Sequence, residues 1–279
     1  MSVRRRLRPL LVVALTAALS LPAGAATAGP ADRDVTVYVA GDSTAATYAW
    51  HEAPRAGWGQ ALGEFLRDEV DVVNLAWSGA SSRSFAEAGL LNRILDRIQP
   101  GDVLLISFGH NDSKTDDRGT DPYTTYQSTL LRYVDGARAR GAQPVLVTPV
   151  ERRRFTDTGA VRTSHGEYPE AMRQLAQRED VPLVDLTALS LERWAELGPN
   201  GTTGEFLHLA PGERPNYPDG VADNTHFGAR GAIELARLVV GDLKDQRVLR
   251  PWQARGLRAK VADSDLEWPA ERPAGPEIW

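Results

Sequence analysis

Five short apolar runs recur along the chain, most of them separated by enough residues for a helix, and they limit the fold more than any other feature. They are VTVYVAG from Val35, VDVVNLA from Val70, DVLLISFG from Asp102, PVLVTPV from Pro144 and VPLVDL from Val181. Each is rich in Val, Leu and Ile and lacks strict apolar–polar alternation. A strand with one wet face alternates, whereas a strand covered on both faces does not. The runs therefore predict the buried strands of a parallel sheet. Between them, Phe85 to Ile98 sets Leu90, Leu91, Ile94, Leu95 and Ile98 at helical spacings. Tyr123 to Arg140 is a second helical segment, with Gly141 as its C-cap, and Ala229 to roughly Leu243 is the last, after Gly228. Strands and helices in this rhythm imply right-handed βαβ crossovers and one α/β unit. Its expected form is a flavodoxin-like three-layer α/β/α sandwich around a five-stranded parallel sheet.

The two ends of the chain differ from this middle. The segment MSVRRRLR is followed by an apolar run from Leu10 to Leu21 and by small residues ending at Ala28. That is the layout of a secretory signal peptide over residues 1–28, with a faint twin-arginine hint at Arg4–Arg6. The apolar core falls short of the ~20 residues a spanning helix needs, so stable membrane insertion is not expected. Removal of Arg4, Arg5, Arg6 and Arg8 takes the net charge from −5 to −9. An acidic chain of this kind does not suit nucleic-acid binding. With no cysteine, disulfides, thiolate metal sites and a cysteine nucleophile are all excluded. The main unit is expected over residues 29–250, followed by a Pro- and Trp-rich tail over 251–279 that either packs on the surface or stays partly disordered.

In an open parallel sheet the functional loops gather at the carboxyl ends of the strands. Gly41-Asp42-Ser43-Thr44 follows the first run, Asn74 through Trp77-Ser78-Gly79 the second, and Gly109-His110-Asn111-Asp112 the third. Asp223-Asn224-Thr225-His226 precedes the last helix. Each feature alone has an ordinary explanation. Ser43 suits a helix N-cap, Asn111 a turn, and Asp223 with His226 a weak surface pair. Together they supply a hydroxyl, a carboxylate–imidazole pair, a glycine and an amide, which are the parts of an acyl-transfer site.

This set resembles the SGNH (GDSL-like) hydrolases over nearly all of the chain after its leader. Thr44 stands where that family usually has Leu, a departure found in its rhamnogalacturonan acetylesterase branch. The segments GHND, DPYTTY from Asp121, VTPVERRRF from Val147 and DNTHFG from Asp223 are similar to that branch too. The resemblance implies a Ser43–His226–Asp223 triad, with Ser43 N–H, Gly79 N–H and the Asn111 amide as oxyanion donors. It implies an acetylated polysaccharide or oligosaccharide as substrate; the chemistry requires no metal, no cofactor motif is visible, and a monomer is expected. Asp42 and Asp112 would organise their loops.

Other residues carry two readings each. His110 is a structural or a substrate-contacting imidazole. His51, His165 and His208 take surface or loop positions by default. Trp50, Trp58 and Trp77 could line a sugar site or fill the core. Arg152, Arg153 and Arg154 follow the fourth run, at the same sheet edge as Ser43, where a guanidinium suits a galacturonate carboxylate; alternatively they pair within their own loop. Two rival functions remain: a lipase or acyl-thioesterase of this fold, and a non-catalytic polysaccharide-binding protein.

Overall fold

A computed structural model describes residues 34–273, so the expected signal peptide lies outside the described residues. The strands are β1 (Val35–Gly41), β2 (Arg55–Ala56), β3 (Val70–Asn74), β4 (Val103–Ser107), β5 (Gln143–Val147), β6 (Leu183–Val184), β7 (Phe206–Leu209) and β8 (Val221–Gly228). The helices are α1 (Ser82–Glu87), α2 (Leu90–Leu95), α3 (Gln127–Arg138), α4 (Tyr168–Glu179), α5 (Leu186–Gly201) and α6 (Ala229–Asp245). The five apolar runs form one sheet in the order β3-β1-β4-β5-β6. All four pairings are parallel, with Val39 opposite both Asn74 and Leu105.

The missing alternation is explained by two half-cores. Val37, Val39, Leu105, Val145 and Val147 point to one face, where Leu186 and Trp194 of α5 and Ile233, Leu235 and Val239 of α6 cover them. Tyr38, Ala40, Leu104, Ile106 and Leu146 point to the other, under α1 to α4. Successive side chains thus alternate between faces, and both faces are dry.

The structure departs from these expectations in three places. The single helix over Phe85–Ile98 is two short ones, because Gly89 adopts a left-handed φ of 76° between them. A π-helical turn over Pro122–Tyr126 precedes α3, and Asp121 caps it by accepting from Tyr123 N and Thr124 N. At the other end Ala142 N bonds Ala137 O at 3.1 Å and Gly141 N bonds Arg138 O at 2.9 Å. With Gly141 at φ 71°, this is the Schellman closure expected of a glycine C-cap. The third change is a second, antiparallel sheet in the order β2-β8-β7, in which Ala56 and Phe206 both face Phe227. The tail packs as far as it is described: Leu266 and Gln253 are buried, and Leu66 bridges Ala254.

Candidate active site

Ser43 lies one residue beyond Asp42, at the carboxyl end of β1. A Cβ on Gly41 would stand 3.0 Å from Ser107 O and 3.2 Å from Ala45 Cβ, so any larger residue there would crowd the turn that leaves the sheet. Asp42 then organises the turn, its Oδ1 accepting from Thr44 N at 2.9 Å and Thr44 Oγ1 at 2.7 Å. The Thr44 hydroxyl therefore has a structural use that a leucine could not supply. Burial pushes the Asp42 carboxyl up, partly offset by these two bonds.

His226 reaches Ser43 from β8. Its Nε2 lies 3.0 Å from Ser43 Oγ, and its Nδ1 lies 2.7 Å from Asp223 Oδ2. The other Asp223 oxygen accepts from Thr225 N at 2.7 Å and His226 N at 3.0 Å. Burial pushes this carboxyl up, but the imidazole and the two backbone N–H groups outweigh it and hold Asp223 well below the usual carboxylate range. These contacts favour its charged form. An anion on Nδ1 fixes the proton there and leaves Nε2 free to accept from the serine hydroxyl.

The residues expected as oxyanion donors lie beyond the ends of β3 and β4. Gly79 has φ 86°, a backbone conformation that strains any residue with a Cβ. Asn111 donates from Nδ2 to Ala80 O at 2.9 Å. An amide nitrogen carries two hydrogens, so one remains for a ligand. Asp112, beside it, is fully buried and accepts from Ser82 N at 3.1 Å and Ser82 Oγ at 2.5 Å. Burial is the larger influence and pushes its carboxyl up to about 7. The GHND glycine is also steric: with φ 146°, a Cβ on Gly109 would stand 2.7 Å from Pro149 Cγ.

The structure brings Ser43, Asp223 and His226 into one hydrogen-bonded chain and ties Asn111 to the residue after Gly79. It treats the remaining candidates differently. His110 is 3% exposed, edge-on to His165 at 4.3 Å, and burial pushes both imidazoles well down. A buried neutral ring cannot touch a polymer, so His110 is structural. His165 is a core residue rather than a surface one, with Nε2 2.9 Å from Val150 O. Trp58 is core, Trp77 packs against the α1–α4 half-core, and Trp50 is exposed.

The arginine run also divides. Arg152 donates to Ser164 O at 3.1 Å and His110 O at 3.4 Å. Arg153 donates to Pro199 O at 2.6 Å, Thr203 Oγ1 at 3.1 Å and Asn224 Oδ1 at 3.1 Å. Both are committed to backbone carbonyls and loop side chains, several of them outside their own loop. Arg154 is exposed. Arg153 is nevertheless close to the chemistry, because its N–H also donates to Asn224 O at 2.9 Å. Asn224 sits between Asp223 and His226, and its Oδ1 also lies 3.0 Å from His208 Nε2. Sequence reasoning missed Asn224 and Arg118, whose Nη1 donates to Gly79 O at 3.3 Å. Neither has a spacing signal, because both contacts span loops far apart in the chain.

A model of the GDSL-like Lipase/Acylhydrolase family matches residues 39–232. The chain belongs to this family. It is 47% identical over 213 residues to the rhamnogalacturonan acetylesterase RhgT of Bacillus subtilis, covering 76% of this chain and 91% of the relative. It is 40% identical to the probable rhamnogalacturonan acetylesterase YesY of the same organism, over 75% of this chain and 92% of the relative. Among solved structures, Bacillus subtilis YxiM superposes with a TM-score of 0.67 at 31% identity, over 77% of this chain and 57% of that one. The chain is thus a carboxylic ester hydrolase with the α/β fold of its family.

Proposed function

We propose that this hydrolase removes acetyl groups from rhamnogalacturonan or a related acetylated pectic polysaccharide, and that it does so outside the cell after loss of residues 1–28. One observation supports it most: the Ser43–His226–Asp223 chain is closed at 3.0 Å and 2.7 Å in a protein resembling two rhamnogalacturonan acetylesterases over nine-tenths of their length.

In this scheme Ser43 Oγ attacks the acetyl carbonyl while its proton passes to His226 Nε2. The positive charge formed on the ring is held by Asp223. Ser43 N–H, Gly79 N–H and the free Asn111 hydrogen meet the oxyanion of the tetrahedral intermediate. His226 then returns the proton to the sugar oxygen, which leaves as the alcohol. Water, deprotonated by the same imidazole, attacks the acetyl-serine, and acetate departs with Ser43 regenerated. The exposed Arg154, on the loop bonded to Asn224, supplies a cation for uronate carboxylates.

The test is acetate release by the purified protein from acetylated rhamnogalacturonan, acetylated xylan and long-chain aryl esters. The expected result is a preference for rhamnogalacturonan that Ser43→Ala abolishes with native circular dichroism retained. A preference for long acyl chains would make it a lipase or thioesterase instead. Activity retained in Ser43→Ala would remove the triad.

A further inference from the structure

The stretch from Glu267 to Arg272 lies beyond the residues matched by the family model, yet it runs behind the nucleophile. The nucleophile turn is first held by an inner layer. Trp58 N donates to Thr44 O at 2.9 Å and Gly57 N to Ala46 O at 3.1 Å. Cβ atoms on Gly57 and Gly59 would each stand 2.4 Å from carbonyl oxygens of Ala46 and Ala45, so the two segments touch backbone to backbone. Tyr48 is the next anchor. Its hydroxyl donates to Ser43 O at 2.7 Å, and burial pushes the phenol up, which keeps that donor protonated.

The C-terminal strap closes on this layer by three routes. Gln60 Oε1 accepts from Tyr48 N at 3.0 Å while its Nε2 donates to Glu267 O at 2.8 Å, so one side-chain amide bridges the strap to the residue that holds Ser43. Trp268 Nε1 donates to Arg55 O and Trp50 N to Pro269 O, each at 2.9 Å. Arg272 pairs with Glu52, and its guanidinium carbon lies 4.7 Å from the centroid of the Tyr48 ring, against which Arg55 also packs at 4.4 Å. A cation against an aromatic face is attracted to it, and more so where water is excluded. The Tyr48 ring is fully buried between these partners.

We propose that this strap is a positioning element of the active site, in which Gln60 and Arg272 fix Tyr48 and, through it, the backbone of Ser43. Neither residue touches the substrate or the reacting atoms. Their effect is to hold Ser43 Oγ within hydrogen-bond reach of His226, where an error of an ångström is expensive. The inference rests on Ser43 being the nucleophile.

The test uses the full chain and a small neutral aryl acetate, so its result does not depend on which polysaccharide is the natural substrate. Arg272→Ala and Gln60→Ala should each lower kcat roughly tenfold, the scale of a slightly misplaced nucleophile, with KM within about twofold. Arg272→Lys keeps a cation beside Glu52 and Tyr48 and should recover most of the loss. If strap and tyrosine act as one unit, the kcat losses of Arg272→Ala and Tyr48→Phe will be less than additive in the double variant. A fall in melting temperature with kcat unchanged would make the strap a plain stability device, as would full additivity. If Arg272→Ala does not fold, Gln60→Ala decides by the same measures. Should Ser43→Ala remain active, the triad fails and not merely the strap.

Discussion

Asn111 has one amide hydrogen bonded to Ala80 O at 2.9 Å and the other unclaimed in the site, so its role can be separated from general packing. Asn111→Ala should lower kcat by roughly 10²–10³, the usual cost of one oxyanion donor, with a smaller change in KM. Steady-state kinetics on an aryl acetate checks this, and a loss confined to KM would mark Asn111 as a substrate clamp. Ser43, Gly79, Asn111, Asp223 and His226 were legible as candidates because each follows a strand or precedes a helix, and the structure joins Ser43, His226 and Asp223 by hydrogen bonds. Their supports were not legible. Tyr48, Gln60 and Arg118 work through contacts to backbone carbonyls or N–H groups of distant loops, which no period or motif marks, and Asn224 lies inside the DNTHFG segment but acts through contacts to Arg153 and His208 that the segment does not announce. His110 carries two readings in the sequence, structural or substrate-contacting, and its buried ring favours the first.

At the scale of elements, Asp112 joins the loop after β4 to α1, since its carboxyl group receives the N–H and hydroxyl of Ser82 at the start of that helix. Burial raises its folded pKa to about 7, above the ordinary carboxyl value near 4. Below both values the group is protonated in the folded and unfolded chains alike and costs nothing. As pH rises between them, the unfolded chain loses its proton first, so this group's contribution to stability falls until about 7 and then stays level. Asn cannot ionise. Asp112→Asn should therefore gain stability relative to wild type as pH rises from 4.5 to 8, measured by urea unfolding at each pH. A difference independent of pH would show that Asp112 is not protonated in the folded protein. The buried strands around this loop were legible because two dry faces require unbroken Val, Leu and Ile. β8 was not, because its exposed side carries Asn224 and His226, which are present for contacts and chemistry rather than for strand propensity. α5 ends irregularly, because Gly198 and Pro199 interrupt its helical pattern near the end.

For the whole molecule, charge and proposed substrate are opposed. The chain carries −5, or −9 without its four leader arginines, while a galacturonate polymer is also an anion. The long-range field should therefore slow encounter, and only short-range cations can offset it. Arg152 and Arg153 are committed to carbonyls, which leaves Arg154 as the exposed member of the run. Salt separates the two effects. The screening length shrinks from about 30 Å at 0.01 M to about 8 Å at 0.15 M, which removes repulsion from distant carboxylates but screens a direct guanidinium–carboxylate contact much less. Across that range, kcat/KM for acetylated rhamnogalacturonan should rise, while a neutral aryl acetate should show no trend. Arg154→Ala should lower the ratio of charged to neutral kcat/KM, with the largest deficit at low salt, where the lost cation is least screened. A charged-substrate rate that falls as salt is added would mean that attraction dominates the approach. The polymer would then be drawn in by a cationic surface stronger than Arg154 alone.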